Sequence, residues 1–178
     1  PFAGTANAVV ELFLLDQASG EAREVPLGAD KDFYLARVDF SPDGTLAVQK
    51  QARDQQVLEL IFVDPQSLRE TVVLREQHTR WVNLQSDLRF LDGGARFIWA
   101  SERSGFNHLY RVDAESGETT PVTQGEWLVR RVLDVDEDTQ QIRFAAMGVH
   151  PDQDPYHVHV GRIGFDGEGL VWLTEGDG

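Results

Sequence analysis

The feature that most constrains the fold of this chain is a repeat. Four apolar strand ends run into an aspartate that opens a turn: Phe13-Leu14-Leu15-Asp16, Ile61-Phe62-Val63-Asp64, Tyr110-Arg111-Val112-Asp113 and Ile163-Gly164-Phe165-Asp166. The aspartates recur roughly every fifty residues, as expected of a unit that buries its apolar face only against a neighbouring copy of itself. A second marker keeps phase with the first: Phe40-Ser41-Pro42-Asp43-Gly44, Phe90-Leu91-Asp92-Gly93-Gly94 and Val135-Asp136-Glu137-Asp138. Both markers are turn chemistry. Proline presets φ, glycine supplies positive φ, and aspartate accepts hydrogen bonds from the backbone that follows it.

Between markers there is room for four short strands, A to D. The runs Val9–Leu15, Tyr34–Phe40, Leu46–Gln51, Val57–Val63 and Thr71–Leu74 have strand length and stand between turn signals. Gln56–Val63 could pass for a helix, but its β-branched and aromatic residues and the Asp64-Pro65 stop favour a strand. A repeating four-stranded antiparallel meander is a β-propeller blade. The expected fold is therefore all-β: a partial β-propeller of about three and a half four-stranded antiparallel blades.

Residues 1–178 are expected to form a single propeller segment. Residues 5–30 supply strands C and D of a half blade, and full blades follow at 31–77, 78–125 and 126–178. Closed propellers have roughly four to eight blades, so this segment is not expected to close a ring. The start at Pro1 and the end at Gly176-Asp177-Gly178 read as those of a piece of a longer protein. Phe40, Phe62, Phe90, Phe97, Trp99, Phe144 and Trp172 fall at or near strand positions and are expected to pack blade against blade. Each should contribute roughly 1.5–3 kcal/mol on burial.

Composition narrows the function classes. The chain has 178 residues, enough for a real core, and carries 30 acidic against 16 basic residues for a net charge of −14. Such a surface repels nucleic acid and anionic lipid, so neither is an expected partner. There is no cysteine, so disulfides and thiolate metal sites are excluded and the redox compartment stays open. Bacterial periplasm and cytoplasm both fit. No apolar run reaches the roughly 20 residues that span a bilayer.

Three common catalytic or ligand-binding motifs are missing from the sequence. No Gly-x-Ser-x-Gly elbow, phosphate-binding glycine loop or sialidase-type Asp box occurs. No catalytic residue, metal site or cofactor is expected. His157 and His159 are two apart on an expected strand and would share a face, but the reading preferred is a polar strand face. His108 and His150 lie at expected turns and carry no assigned role. Asp136-Glu137-Asp138 reads as a solvated hairpin turn.

One string has residues that a plain turn does not require. Ser101-Glu102-Arg103-Ser104-Gly105-Phe106-Asn107-His108-Leu109-Tyr110, followed by Gly125-Glu126-Trp127, sits at the strand B to C corner of the second full blade. Burying Glu102 or Arg103 is costly unless each is paired. The two are therefore expected to fix the corner, through hydrogen bonds to backbone or to each other.

At these residues the chain resembles the dipeptidyl peptidase IV branch of the prolyl oligopeptidase family. Further matching strings are Tyr34-Leu35-Ala36-Arg37-Val38, Ser41-Pro42-Asp43-Gly44, Arg53-Asp54-Gln55, Phe62-Val63-Asp64, Trp81-Val82-Asn83-Leu84 and Asp87-Leu88-Arg89-Phe90. They cover nearly the whole chain in the family's order. The resemblance implies an eight-bladed propeller followed by an α/β-hydrolase domain of the same chain, which carries a Ser-Asp-His triad. It implies peptide substrates with a free N-terminus, cleaved after an Xaa-Pro or Xaa-Ala dipeptide.

The family's propeller anchors the substrate amino group with a Glu-Glu pair. No Glu-Glu dipeptide occurs here, and the family's order places that pair before Pro1. The same resemblance puts the Trp-Val-Asn stretch near the extended substrate pocket, implicating Trp81, Asn83 and Leu84. The segment itself is expected to be non-catalytic, gating and positioning substrate, and to self-associate as a homo-oligomer through exposed blade edges. The alternative is a non-enzymatic TolB-like propeller scaffold or protein-binding module.

Overall fold

The computed structural model describes residues 4–176. Pro1 and the last two residues of the expected final blade, Asp177 and Gly178, lie outside them. The described chain is built from strands, with one short 3-10 turn at Asp92–Gly94. No helix among the described residues is long and apolar enough to cross a membrane.

The strands form four antiparallel sheets in succession. The first is a hairpin of β1 (Phe13–Leu15) and β2 (Ala22–Glu24). The second is a meander of β3 (Phe33–Phe40), β4 (Leu46–Ala52), β5 (Val57–Val63) and β6 (Glu70–Gln77). The third contains β7 (Arg89–Leu91), β8 (Arg96–Ser101), β9 (His108–Asp113) and β10 (Thr119–Pro121). The fourth contains β11 (Leu128–Asp136), β12 (Gln141–Met147), β13 (Val158–Gly164) and β14 (Val171–Trp172). Every sheet runs in sequence order, each strand bonded to the next. Three four-stranded meanders and a hairpin match the three and a half blades expected from the repeat, and Val57–Val63 is a strand.

The chain divides into two compact units, up to Leu84 and from Gln85. In the first, β4 and β5 pair Leu46 with Val63 and Val48 with Ile61, so these four side chains share one face. That face packs with Val25, Leu27 and Phe33 into a buried cluster beside the β1–β2 hairpin. In the second, Ile98, Ala100 and Leu109 of the third sheet pack with Val129, Val132, Ile142, Phe144 and Ile163 of the fourth. Each cluster is therefore made between consecutive sheets, as the repeat demands.

Two expectations need correction. Phe97, Trp99 and Phe144 are fully buried, but Phe40 is 59% exposed. It ends β3, which pairs only with β4 and is the edge strand of its sheet. The apolar run Val9–Leu15 also yields a strand only from Phe13. Its partner β2 is three residues long, so the earlier valines meet no ladder and Val9 stays largely exposed.

The repeat aspartates are the C to D turns. Asp16 Oδ1 accepts from the Ala18 and Ser19 N–H groups, Asp64 Oδ1 from Gln66 and Ser67, and Asp113 Oδ1 from Glu115 and Ser116. Asp166 Oδ1 accepts from Glu168 in the fourth sheet. One carboxylate satisfies backbone donors that the turn leaves without a ladder partner.

Candidate functional site

Trp81, Asn83 and Leu84 lie on the connection that leaves β6. Trp81 is 53% exposed and Leu84 44%. An indole in water on an unanchored loop would sample many positions, but the backbone here is tied on both sides. The Val82 N–H donates to Gln55 O at 2.7 Å, and the Gln51 side-chain amide donates to Val82 O at 2.7 Å. Closer to β6, the His78 N–H donates to Gln56 O at 3.0 Å and Gln56 Nε2 donates to Thr79 O at 3.1 Å. All these partners belong to β4 and the turn that follows it. The turn thus holds the connection in place while the apolar side chains of Trp81 and Leu84 face solvent.

Glu102 and Arg103 lie in the turn between β8 and β9, and both are exposed. Arg103 folds back on the corner. Its backbone N–H and its Nε donate to Ser101 Oγ at 3.2 and 3.1 Å, and its guanidinium stands over the Tyr110 ring, 4.8 Å from the centroid. The Tyr110 hydroxyl donates to Ser104 Oγ at 3.0 Å. The corner's charges are therefore solvated rather than buried, and its polar contacts join the two strands that flank it.

The rest of the string forms the joint between the third and fourth sheets, within the second unit. Asn107 bonds Val129 twice: its main-chain carbonyl accepts the Val129 N–H and its side-chain Nδ2 donates to Val129 O, each at 2.7 Å. His108 opens β9 and is buried, correcting the expectation that it occupies a turn without a role. Its Nε2 is 3.0 Å from Gly125 O, and its Nδ1 is 3.0 Å from Thr123 Oγ1. A carbonyl only accepts, so Nε2 carries the proton and Nδ1 accepts from the Thr123 hydroxyl. That hydroxyl in turn accepts the Leu109 N–H at 2.8 Å. Burial pushes the His108 pKa below its ordinary 6.5, against the pull of the Gly125 carbonyl.

Trp127 closes the joint. Its indole meets the His108 ring edge-on at 4.9 Å, stacks on Phe144 at 5.8 Å and meets Trp172 edge-on at 5.2 Å. Gly125 has φ +135°, and a Cβ there would stand 2.4 Å from the indole Nε1. The Gly-Glu-Trp triplet is thus one device: the aromatic ring lies on backbone that only glycine leaves clear. Nearby, Asp87 is buried and its carboxyl is pushed up by that burial, while the Val132 N–H, Arg89 and Arg131 pull the other way.

Sequence reasoning missed His108, Thr123 and Asn107. The available signal was alternation: His108, Tyr110 and Val112 fall on one face of β9, and a histidine in phase with buried residues is a core candidate. His159 is buried on β13 and meets the His150 ring edge-on at 4.8 Å, while His157 precedes that strand.

Comparison with known proteins places this geometry. The family model described as the dipeptidyl peptidase IV (DPP IV) N-terminal region matches residues 1–176. The probable dipeptidyl peptidase 4 of Aspergillus flavus is 28% identical over 161 residues, covering 84% of this chain and 21% of that protein. The dipeptidyl peptidase 4 of Arthroderma otae is 27% identical over 159 residues, covering 84% and 20%. Among solved structures, the dipeptidyl peptidase 4 of Porphyromonas gingivalis superposes with a TM-score of 0.84 at 29% identity, over 98% of this chain and 24% of that one. A putative dipeptidyl aminopeptidase IV from Bacteroides ovatus gives 0.83 at 21% identity, over 96% and 26%, a likeness of fold. The chain spans about a fifth to a quarter of the length of these relatives. With these neighbours, its succession of four-stranded sheets is a partial β-propeller.

Proposed function

Because the chain belongs to the dipeptidyl peptidase IV N-terminal region family, we propose that it is the central to C-terminal part of the propeller of a serine dipeptidyl peptidase. The whole protein removes Xaa-Pro or Xaa-Ala dipeptides from free N-termini, using a triad in a C-terminal α/β-hydrolase domain. This portion gates access and positions the peptide, and it takes no part in the bond-breaking chemistry. Its blades run over 5–30, 31–77, 78–125 and 126–178. The observation that carries this reading is the family match over 1–176, supported by the 29%-identical propeller neighbour.

Within that reading, Trp81, Asn83 and Leu84 contribute to the substrate pocket. The exposed indole on a fixed backbone supports this, since an apolar surface that solvent does not favour is available for a peptide side chain. Glu102 and Arg103 are structural corner residues. On its own the chain self-associates through the edges of β1 and β14, where Phe13, Leu15, Val171 and Leu173 are exposed.

The test is product analysis on the full-length protein. Peptides with proline or alanine at the second position should lose an N-terminal dipeptide, seen by mass, and acetylation of the N-terminus should stop the reaction. Intact peptides in both cases would remove the peptidase reading.

A further inference from the structure

We propose that Gln51 is a positioning residue for substrate, acting through Trp81; this rests on the reading of Trp81 as part of the substrate pocket. Gln51 is only 4% exposed, on β4, and its cross-strand neighbours are Tyr34 on β3 and Leu58 on β5. A buried amide must place its hydrogen-bonding groups, or it costs more than an apolar residue of the same size. Gln51 spends its Nε2 on one acceptor, Val82 O, at 2.7 Å. That carbonyl belongs to the residue after Trp81, so the bond fixes the peptide plane between Val82 and Asn83, one plane beyond the one that joins Trp81 to Val82.

The opposite side of the same residue is held just as firmly. The Val82 N–H donates to Gln55 O at 2.7 Å. Gln55 adopts φ +61°, the left-handed region that a residue with a side chain occupies only at a cost. The turn closes there with the Gln55 N–H donating to Ala52 O at 2.8 Å. A strained turn residue supplies the acceptor and a buried side chain supplies the donor, both to Val82. The exposed indole is therefore placed by the buried Gln51 side chain and the Gln55 main-chain carbonyl. Losing either bond frees the indole without removing it.

The experiment uses the full-length enzyme labelled with 5-fluorotryptophan. The fluorine line lost in Trp81→Ala identifies Trp81. In Gln51→Met, and in Gln51→Glu, which keeps the size but loses the donor, that line should shift and broaden while the other indole lines stay. KM for a dipeptidyl amide should rise about fivefold with kcat unchanged, the factor that one net hydrogen bond is worth. In a Trp81→Ala background the same substitutions should raise KM no further.

An unmoved Trp81 line in both folded variants overturns the proposal. So does a moved line with unchanged KM when Trp81→Ala itself raises KM. If Trp81→Ala leaves KM unchanged, the substrate reading of Trp81 falls, and the fluorine line alone decides whether Gln51 places the indole.

Discussion

His108 is neutral in the folded chain because it is buried and bonded on both nitrogens, with Nε2–H toward Gly125 O. Its folded pKa lies below 6.5, so on acidification the unfolded chain takes up the proton first. The stability it supports is full above pH 6.5 and falls as the pH drops from there to the folded-state pKa. We expect the full-length protein to unfold at lower urea at about pH 5.5 than at about pH 7.5. His108→Gln keeps a donor toward Gly125 O but does not titrate, so the variant should show a smaller pH dependence. An equal dependence in both proteins would place the acid sensitivity elsewhere. This residue was legible in the sequence only as a member of an odd string. Its role needs Thr123 and Gly125, which lie 15 and 17 residues away, and spacing does not reveal which nitrogen meets which partner.

At the scale of elements, the repeat carries the argument. In the C to D turns the residue after the serine has positive φ: Gly20 at 73°, Leu68 at 58° and Gly117 at 72°. Gly117→Ala forces a Cβ into the left-handed region and should cost about 1–2 kcal/mol, read as a lower unfolding midpoint. Leu68→Gly should gain less than that, because Leu68 also covers part of its side chain. The aspartates of these turns are held below their ordinary 3.8, first by the Ser19, Ser67 and Ser116 N–H groups. Their contribution is complete above pH 3.8 and is lost as the pH falls below it. The turns were legible because each pairs a fixed chemistry with a fixed period. Strand limits were less so: Val9 and Val10 have strand propensity, but no partner ladder reaches them. Phe40 has the pattern of a core residue but ends an edge strand, and a pattern of residues does not say which strand is the edge.

For the molecule as a whole, the chain belongs to the dipeptidyl peptidase IV N-terminal region family, and its sequence contains no Gly-x-Ser-x-Gly. The corner Ser101–Tyr110 flagged the family, and the structure makes it a joint: Asn107 grips β11, and His108 and Trp127 fill the space between two sheets. The exposed residues Phe13 and Leu15 on β1, and Val171 on β14, leave apolar edges. Light scattering on the isolated chain should therefore give a mass above that of a monomer, rising with concentration. A clean monomer at high concentration would remove the self-association proposal. In the proposed function, this chain positions peptide substrate for chemistry done elsewhere in the same protein. The most direct measurement is hydrolysis of a fluorogenic Gly-Pro amide by the full-length protein and by the purified chain alone. The account predicts turnover by the first and none by the second. Turnover by the isolated chain, or a full-length protein inert toward every Xaa-Pro and Xaa-Ala amide, would contradict it.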